Sequence, residues 1–139
     1  MTKETLKSLL KNNKQPLLLQ HVECGLFGVS EDFSEDYQSL DERVIKNKSA
    51  TYFLLAKGRS MEPTIFEEDI LVVDRSIKNF HNKVCVVSYN GELICKRVSI
   101  LDDRVILKSD NPKFKDIVVF DDASAMFWGV VISRVGQVR

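Results

Sequence analysis

The chain has 139 residues, 44% of them hydrophobic, with 20 basic and 20 acidic side chains and a net charge of zero. That length fits one domain with an appended arm. The neutral balance excludes a stand-alone sequence-specific DNA-binding module, whose affinity rests on a basic face that neutralises phosphates.

The charge is unevenly spread. Residues 1–45 carry five basic and eight acidic side chains, and residues 46–139 carry fifteen and twelve, so an acidic front segment precedes a mildly basic body. Cys24, Cys85 and Cys95 form no CxxC pair and only two histidines accompany them. No metal site or cofactor is therefore expected. The odd cysteine count and the lack of a secretory signal point to a reducing cytoplasm. The longest apolar run, "AMFWGVVI" from Ala125 to Ile132, falls far short of the ~20 residues a membrane helix needs.

In chain order, "TKETLKSLLKNN" places Leu6, Leu9 and Leu10 at helical spacing, with Thr2 as N-cap and Glu4 in the first turn, a short amphipathic helix ending before Pro16. Residues 12–38 hold two glycines, aromatics and five acidic side chains with no sustained period. They are read as an extended arm. "SLDERVIKN" sets Ser39 and Glu42 at capping-box spacing, with Leu40, Val44 and Ile45 on one face, which predicts one helix of about two turns.

The character then changes. "ATYFLLAKG", "DILVVD", "KVCVVSYNGELICKRVSI", "RVILKS", "IVVF" and "MFWGVVISRV" are short, β-branched and separated by Asp, Asn and Gly turn signals. "SYNGEL" predicts a hairpin, because Asn90-Gly91 suits a type I′ turn between apolar strands. Residues 46–139 are thus expected to form a small, curled, barrel-like antiparallel β domain, with residues 1–45 as its arm.

Alternation along the second hairpin strand puts Ile94, Lys96 and Val98 on one face and Leu93, Cys95 and Arg97 on the other. One reading is a lysine that snorkels at the sheet margin. The other is a lysine desolvated by Ile94 and Val98, whose pKa falls towards neutrality so that it can act as a general base. Arginine cannot do this, because it does not deprotonate in proteins. Upstream, "GRSMEPTI" offers Ser60 at the end of a strand, with Met61 able to anchor in the core and Pro63 suited to the first turn of a helix. Backbone N–H groups at such a junction are available to an oxyanion. Ser60 with Lys96 and no well-placed histidine fits a Ser-Lys dyad. His21 falls in the arm and His81 in a polar turn. Cys85 and Cys95 alternate with apolar residues and are expected in the core, and Asp69 and Asp74 are expected to organise turns.

"GRSMEPTIFEEDILVVD" followed by "GELICKRV" resembles the Ser-Lys self-cleaving peptidase domain shared by the LexA repressor, phage repressors and UmuD. "SDNP", Ser109 to Pro112, and the late "FWGVV" follow the family's order. The front segment is too short for the helix-turn-helix domain of the repressors and resembles the UmuD-type arm. The resemblance implies Ser60 as nucleophile, Lys96 as general base and Met61 as its packing and oxyanion support. It also implies self-cleavage at Cys24-Gly25. The implied partners are a RecA filament on single-stranded DNA as trigger, a second copy in a homodimer of the trimmed chain, and a UmuC-type DNA polymerase subunit for translesion synthesis. One departure is Glu68 before Asp69, where the family often has glycine.

A binding module of the DNA-damage response that keeps the fold without cutting itself is the alternative. A membrane signal peptidase shares the Ser-Met-x-Pro motif but would need a membrane segment. Replacing Ser60 by alanine separates the first two, since only a peptidase loses an activity.

Overall fold

The computed structural model describes residues 16–19, 36–120 and 125–139, with side chains from Asp41 onward. The chain divides into two units, residues 1–46 and 47–139. The helix expected near the start, His21 and the Cys24-Gly25 bond lie outside the described residues.

In the first unit, β1 (Pro16–Leu19) pairs antiparallel with β2 (Asp36–Ser39), from Pro16 opposite Ser39 to Leu19 opposite Asp36. This ladder falls inside the segment read as an extended arm, where only the three-leucine run "LLL" hints at a strand. The helix expected next is α1 (Leu40–Val44), shorter than two turns, and Ile45 N donates to Asp41 O over 2.8 Å.

In the second unit a 3₁₀ turn (Lys48–Ala50) leads into β3 (Thr51–Leu55), β4 (Ile70–Asp74), β5 (Val84–Tyr89), β6 (Glu92–Ile100), β7 (Val105–Lys108), β8 (Ile117–Val119) and β9 (Ala125–Val135). Each apolar run singled out in this region becomes a strand. All seven join one antiparallel sheet in the order β3-β4-β9-β5-β6-β7-β8. The unit is mainly β, as expected, but its sheet does not close into a barrel, since β3 and β8 end it as separate edges.

The long β9 is its spine. Its pairing skips a residue opposite Val72/Val73 and again opposite Val86/Val87. Such bulges bend the strand and increase local twist. At the second bulge Gly129 leaves room where a Cβ would lie 2.6 Å from Val73 Cγ1.

β5 explains its unbroken apolar run "VCVV" by being covered on both faces. Val86 joins a cluster with Met61, Ile65, Leu71 and Val73, while Cys85 and Val87 join one with Val98, Leu107 and Val130. At roughly 1.5–3 kcal/mol per fully buried aliphatic side chain, these clusters supply the burial that holds the sheet. The β5–β6 hairpin turns through Asn90 and Gly91 at φ of 49° and 83°, the left-handed pair a type I′ turn requires.

Candidate active site

The link from β3 to β4 carries the serine. Gly58 takes φ 80°, which glycine tolerates without strain, and the chain then folds into consecutive turns. Glu62 N donates to Arg59 O, and Thr64 N and Ile65 N both donate to Met61 O. These bonds stay isolated and do not continue into the helix expected from Pro63. Proline offers no N–H to extend a ladder, and the Glu62-Pro63 bond is cis. Met61 does anchor in the core, 4% exposed beside Ile65 and Leu71. Ser60 is therefore fixed by a tethered turn.

Two buried aspartates flank β4, Asp69 at the end of this link and Asp74 at the start of the next. Asp69, 1% exposed, accepts from Phe66 N at 2.8 Å and from Arg134 Nη1 at 3.1 Å. Its Oδ1 packs over Gly136, where a Cβ would approach to 2.0 Å. Asp74 accepts from both the amide and the hydroxyl of Ser76. Both aspartates organise turns, as their positions suggest. Glu68 sits at φ 74°, the backbone conformation for which glycine is suited.

Lys96 lies on β6 with the parity read from the sequence. Val98 on its face is fully buried, Ile94 is partly buried, and Lys96 itself is 9% exposed. The snorkelling alternative is thereby corrected. A lysine at the margin would send its ammonium to water, whereas here Nζ turns inward and donates to Ser60 Oγ at 2.9 Å and to Ser109 Oγ at 3.0 Å. Burial holds its pKa below the ordinary lysine range.

Ser109 adds a partner that spacing does not reveal. It follows β7, and a lone serine in a polar turn carries no signal of its own beyond the "SDNP" order. Its neighbours hold the same region. Asn111 N donates to Ser60 O at 2.9 Å, and Asn111 Nδ2 to Arg59 O at 3.0 Å. Asp110 takes Arg97 Nε and Nη2, each at 2.9 Å, and the Thr64 hydroxyl. The Arg97 hydrogen bonds hold the Asp110 carboxyl below its usual range.

A cleft of about 400 Å³ opens here, lined by residues 54–58 at and beyond the end of β3, by Ser60 and Met61, and by residues 93–96 of β6. β6 is paired to β7 only from Arg97 to Ile100, so its half nearer the hairpin has no strand on that side among the described residues. Cys95 lines this cleft, and burial pushes its thiol up to about 12, which leaves it protonated and a poor nucleophile. Cys85 is in the core, fully buried, as its alternation suggests. His81 is exposed, its Nδ1 accepts from Ile100 N at 2.9 Å, and it does not line this cleft. Among the described residues no group of three or more His, Cys, Asp or Glu is arranged to hold a metal ion.

A serine hydroxyl in contact with a buried lysine, at the end of a cleft with a free strand edge, is an arrangement suited to acyl transfer. The family profile described as Peptidase S24-like matches residues 16–132. This chain belongs to the S24-like peptidase family. Within that family it is similar to protein MucA of Salmonella typhimurium, 35% identical over 121 residues, covering 84% of this chain and 80% of MucA. Protein ImpA of Shigella flexneri is 32% identical over 128 residues, 90% of this chain and 86% of ImpA. The LexA repressor of Xylella fastidiosa is 30% identical over 95 residues, 68% of this chain and 45% of the repressor. The S24-like chain thus matches UmuD-like proteins along most of their length and LexA along less than half. Among its described residues no helix is long and apolar enough to cross a membrane.

Proposed function

We propose that this S24-like chain is a cytoplasmic, self-cleaving serine peptidase of the SOS response, which cuts its own Cys24-Gly25 bond with Ser60 as nucleophile and Lys96 as general base. The observation that carries this reading is the 2.9 Å contact between Lys96 Nζ and Ser60 Oγ, with the lysine 9% exposed. Residues 1–45 are the arm that presents the bond, and residues 46–139 the catalytic body.

In this reading the Cys24-Gly25 bond is the substrate that the cleft beside Ser60 takes. Neutral Lys96 has one lone pair and two N–H groups. Ser109 Oγ accepts one N–H, which leaves the lone pair for the Ser60 proton. Lys96 takes that proton as Ser60 Oγ attacks the Cys24 carbonyl carbon. The resulting oxyanion is held by backbone N–H groups of the Ser60–Met61 turn, which Met61 steadies from the core. Collapse breaks the Cys24-Gly25 bond, and Lys96 returns the proton to the Gly25 amine. Lys96 then deprotonates a water that attacks the Ser60 ester and returns that proton to the departing Ser60 Oγ, releasing residues 1–24 from residues 25–139.

The similarity to MucA, ImpA and LexA supports the SOS setting. In that setting a RecA filament on single-stranded DNA binds the cleavage-competent arrangement more tightly than the resting one and so shifts the population. The trimmed chain dimerises and joins a UmuC-type polymerase subunit for translesion synthesis.

The test is intact mass over time at neutral and alkaline pH, with and without RecA and single-stranded DNA, for wild type, Ser60→Ala and Lys96→Ala. Splitting after Cys24 in wild type alone is expected. An uncut wild type under every condition means that the chain is a regulatory binding module with a peptidase fold.

A further inference from the structure

Ser109, Asp110 and Asn111 are consecutive, and each reaches a different part of the candidate site. Ser109 meets Lys96, Asn111 meets Ser60 and Arg59 through their carbonyls, and Asp110 meets two elements at once. One of these is β6, through the paired Arg97 bonds one residue after Lys96. The other is the serine turn, through Thr64, whose own amide is tied to Met61 O at 2.8 Å. Asp110 touches neither Ser60 Oγ nor Lys96 Nζ, yet it joins the strand of one to the turn of the other.

We propose that Asp110 is a positioning residue for the Ser60–Lys96 pair: bound to Arg97 and Thr64 together, its carboxylate fixes the 109–111 segment that holds the hydroxyl and the amine in contact. The proposal rests on the peptidase reading above. A two-point bond from a guanidinium is strong and directional, and its direction suits a spacer better than a point charge would. The Asp110 side chain is 14% exposed and that of Arg97 40%, so as a simple surface pair the two would add little to stability. Their value lies in geometry, since a displacement of about 1 Å at reacting atoms can cost on the order of 100-fold in rate. Without Asp110 the 109–111 segment loosens, Ser109 leaves Lys96, and water reaches the amine.

The experiment follows self-cleavage of the full chain from neutral to alkaline pH for wild type, Asp110→Asn, Thr64→Val and Thr64→Ser, with thermal unfolding of each. In parallel, Lys96 is titrated by NMR of carbon-13-labelled lysine in the uncleavable Ser60→Ala background, with and without Asp110→Asn. The expected result is cleavage roughly 10- to 100-fold slower in Asp110→Asn and Thr64→Val. Their rising limb moves to higher pH, the unfolding temperature hardly changes, and Thr64→Ser behaves as wild type. Lys96 should titrate at higher pH when Asp110 is replaced. Loss of a nearby anion alone would move it the other way, so the direction separates positioning from simple charge.

Unchanged rates and profiles in both variants overturn the proposal. So does a rate that falls only in step with unfolding while the profile stays fixed. If wild type never cleaves, the peptidase reading fails by itself and the Lys96 titration decides on Asp110: an upward move supports the positioning role, and no move overturns it.

Discussion

Lys96 Nζ, on β6, lies 2.9 Å from the hydroxyl of Ser60, a residue 36 positions earlier on the connection from β3 to β4. The ammonium form donates to Ser60, and only loss of a proton reverses that bond so that the serine becomes the donor. The contact therefore has two states, and protonation of Lys96 selects between them.

The first consequence is a pH dependence. Burial lowers the Lys96 pKa, so the amine forms below the ordinary value of about 10.4. Self-cleavage should rise with pH through the folded-state pKa and level off above it, as read from mass-resolved time courses. Cys95, at about 12, does not titrate in this range and leaves the limb to Lys96. Lys96→Arg should abolish the limb and cost about 1000-fold in rate, since arginine keeps its proton.

The same burial opposes folding. The folded-state pKa of Lys96 lies below the unfolded one, so the unfolded chain binds more protons between the two values. Stability should therefore rise as pH climbs across that window, and the penalty is fully present below it. Lys96→Met keeps the stem and removes the charge. It should stabilise the chain at pH 7 by about 1 kcal/mol and flatten this pH dependence, as measured by urea unfolding at neutral and alkaline pH.

Ser109 directs the amine by accepting one of its N–H groups. Ser109→Ala removes that acceptor while leaving Ser60 and Lys96 in place. A lost hydrogen bond of about 1.4 kcal/mol corresponds to roughly tenfold slower cleavage, and Ser109→Thr, which keeps the hydroxyl, should recover most of it. A rate equal to wild type in Ser109→Ala would show that the contact does not contribute to turnover.

Glu68 occupies the left-handed region at φ 74°, exposed and next to buried Asp69. A non-glycine residue there costs about 1–2 kcal/mol. Glu68→Gly should raise the unfolding temperature by a few degrees in calorimetry, tempered by the greater entropy glycine has when unfolded. Self-cleavage should be unchanged, because Ser60 is held from Met61 and Asn111.

Much of the second unit was legible in the residues. Strand after strand follows β-branched runs, because covering a sheet on both faces requires such runs and a period of two requires alternation. The Asn90-Gly91 turn follows from backbone freedom alone. The serine turn was less legible: Pro63 reads equally well as a helix start and as a turn, and local propensity does not choose between them. The β1–β2 ladder lies where composition suggests only an arm, since four-residue strands in a charged, glycine-containing segment leave too short a pattern to see.

By itself the sequence determined the β architecture of the second unit and singled out Ser60 and Lys96 as the candidate nucleophile and base. Those properties depend on local pattern and on the chemistry of single residues. Only the tertiary structure decided that Lys96 turns inward, that Ser109 shares it, and that Asp110 ties β6 to the serine turn. Contacts between residues 13 to 46 positions apart arise from how strands stack in the sheet, and no local period records them.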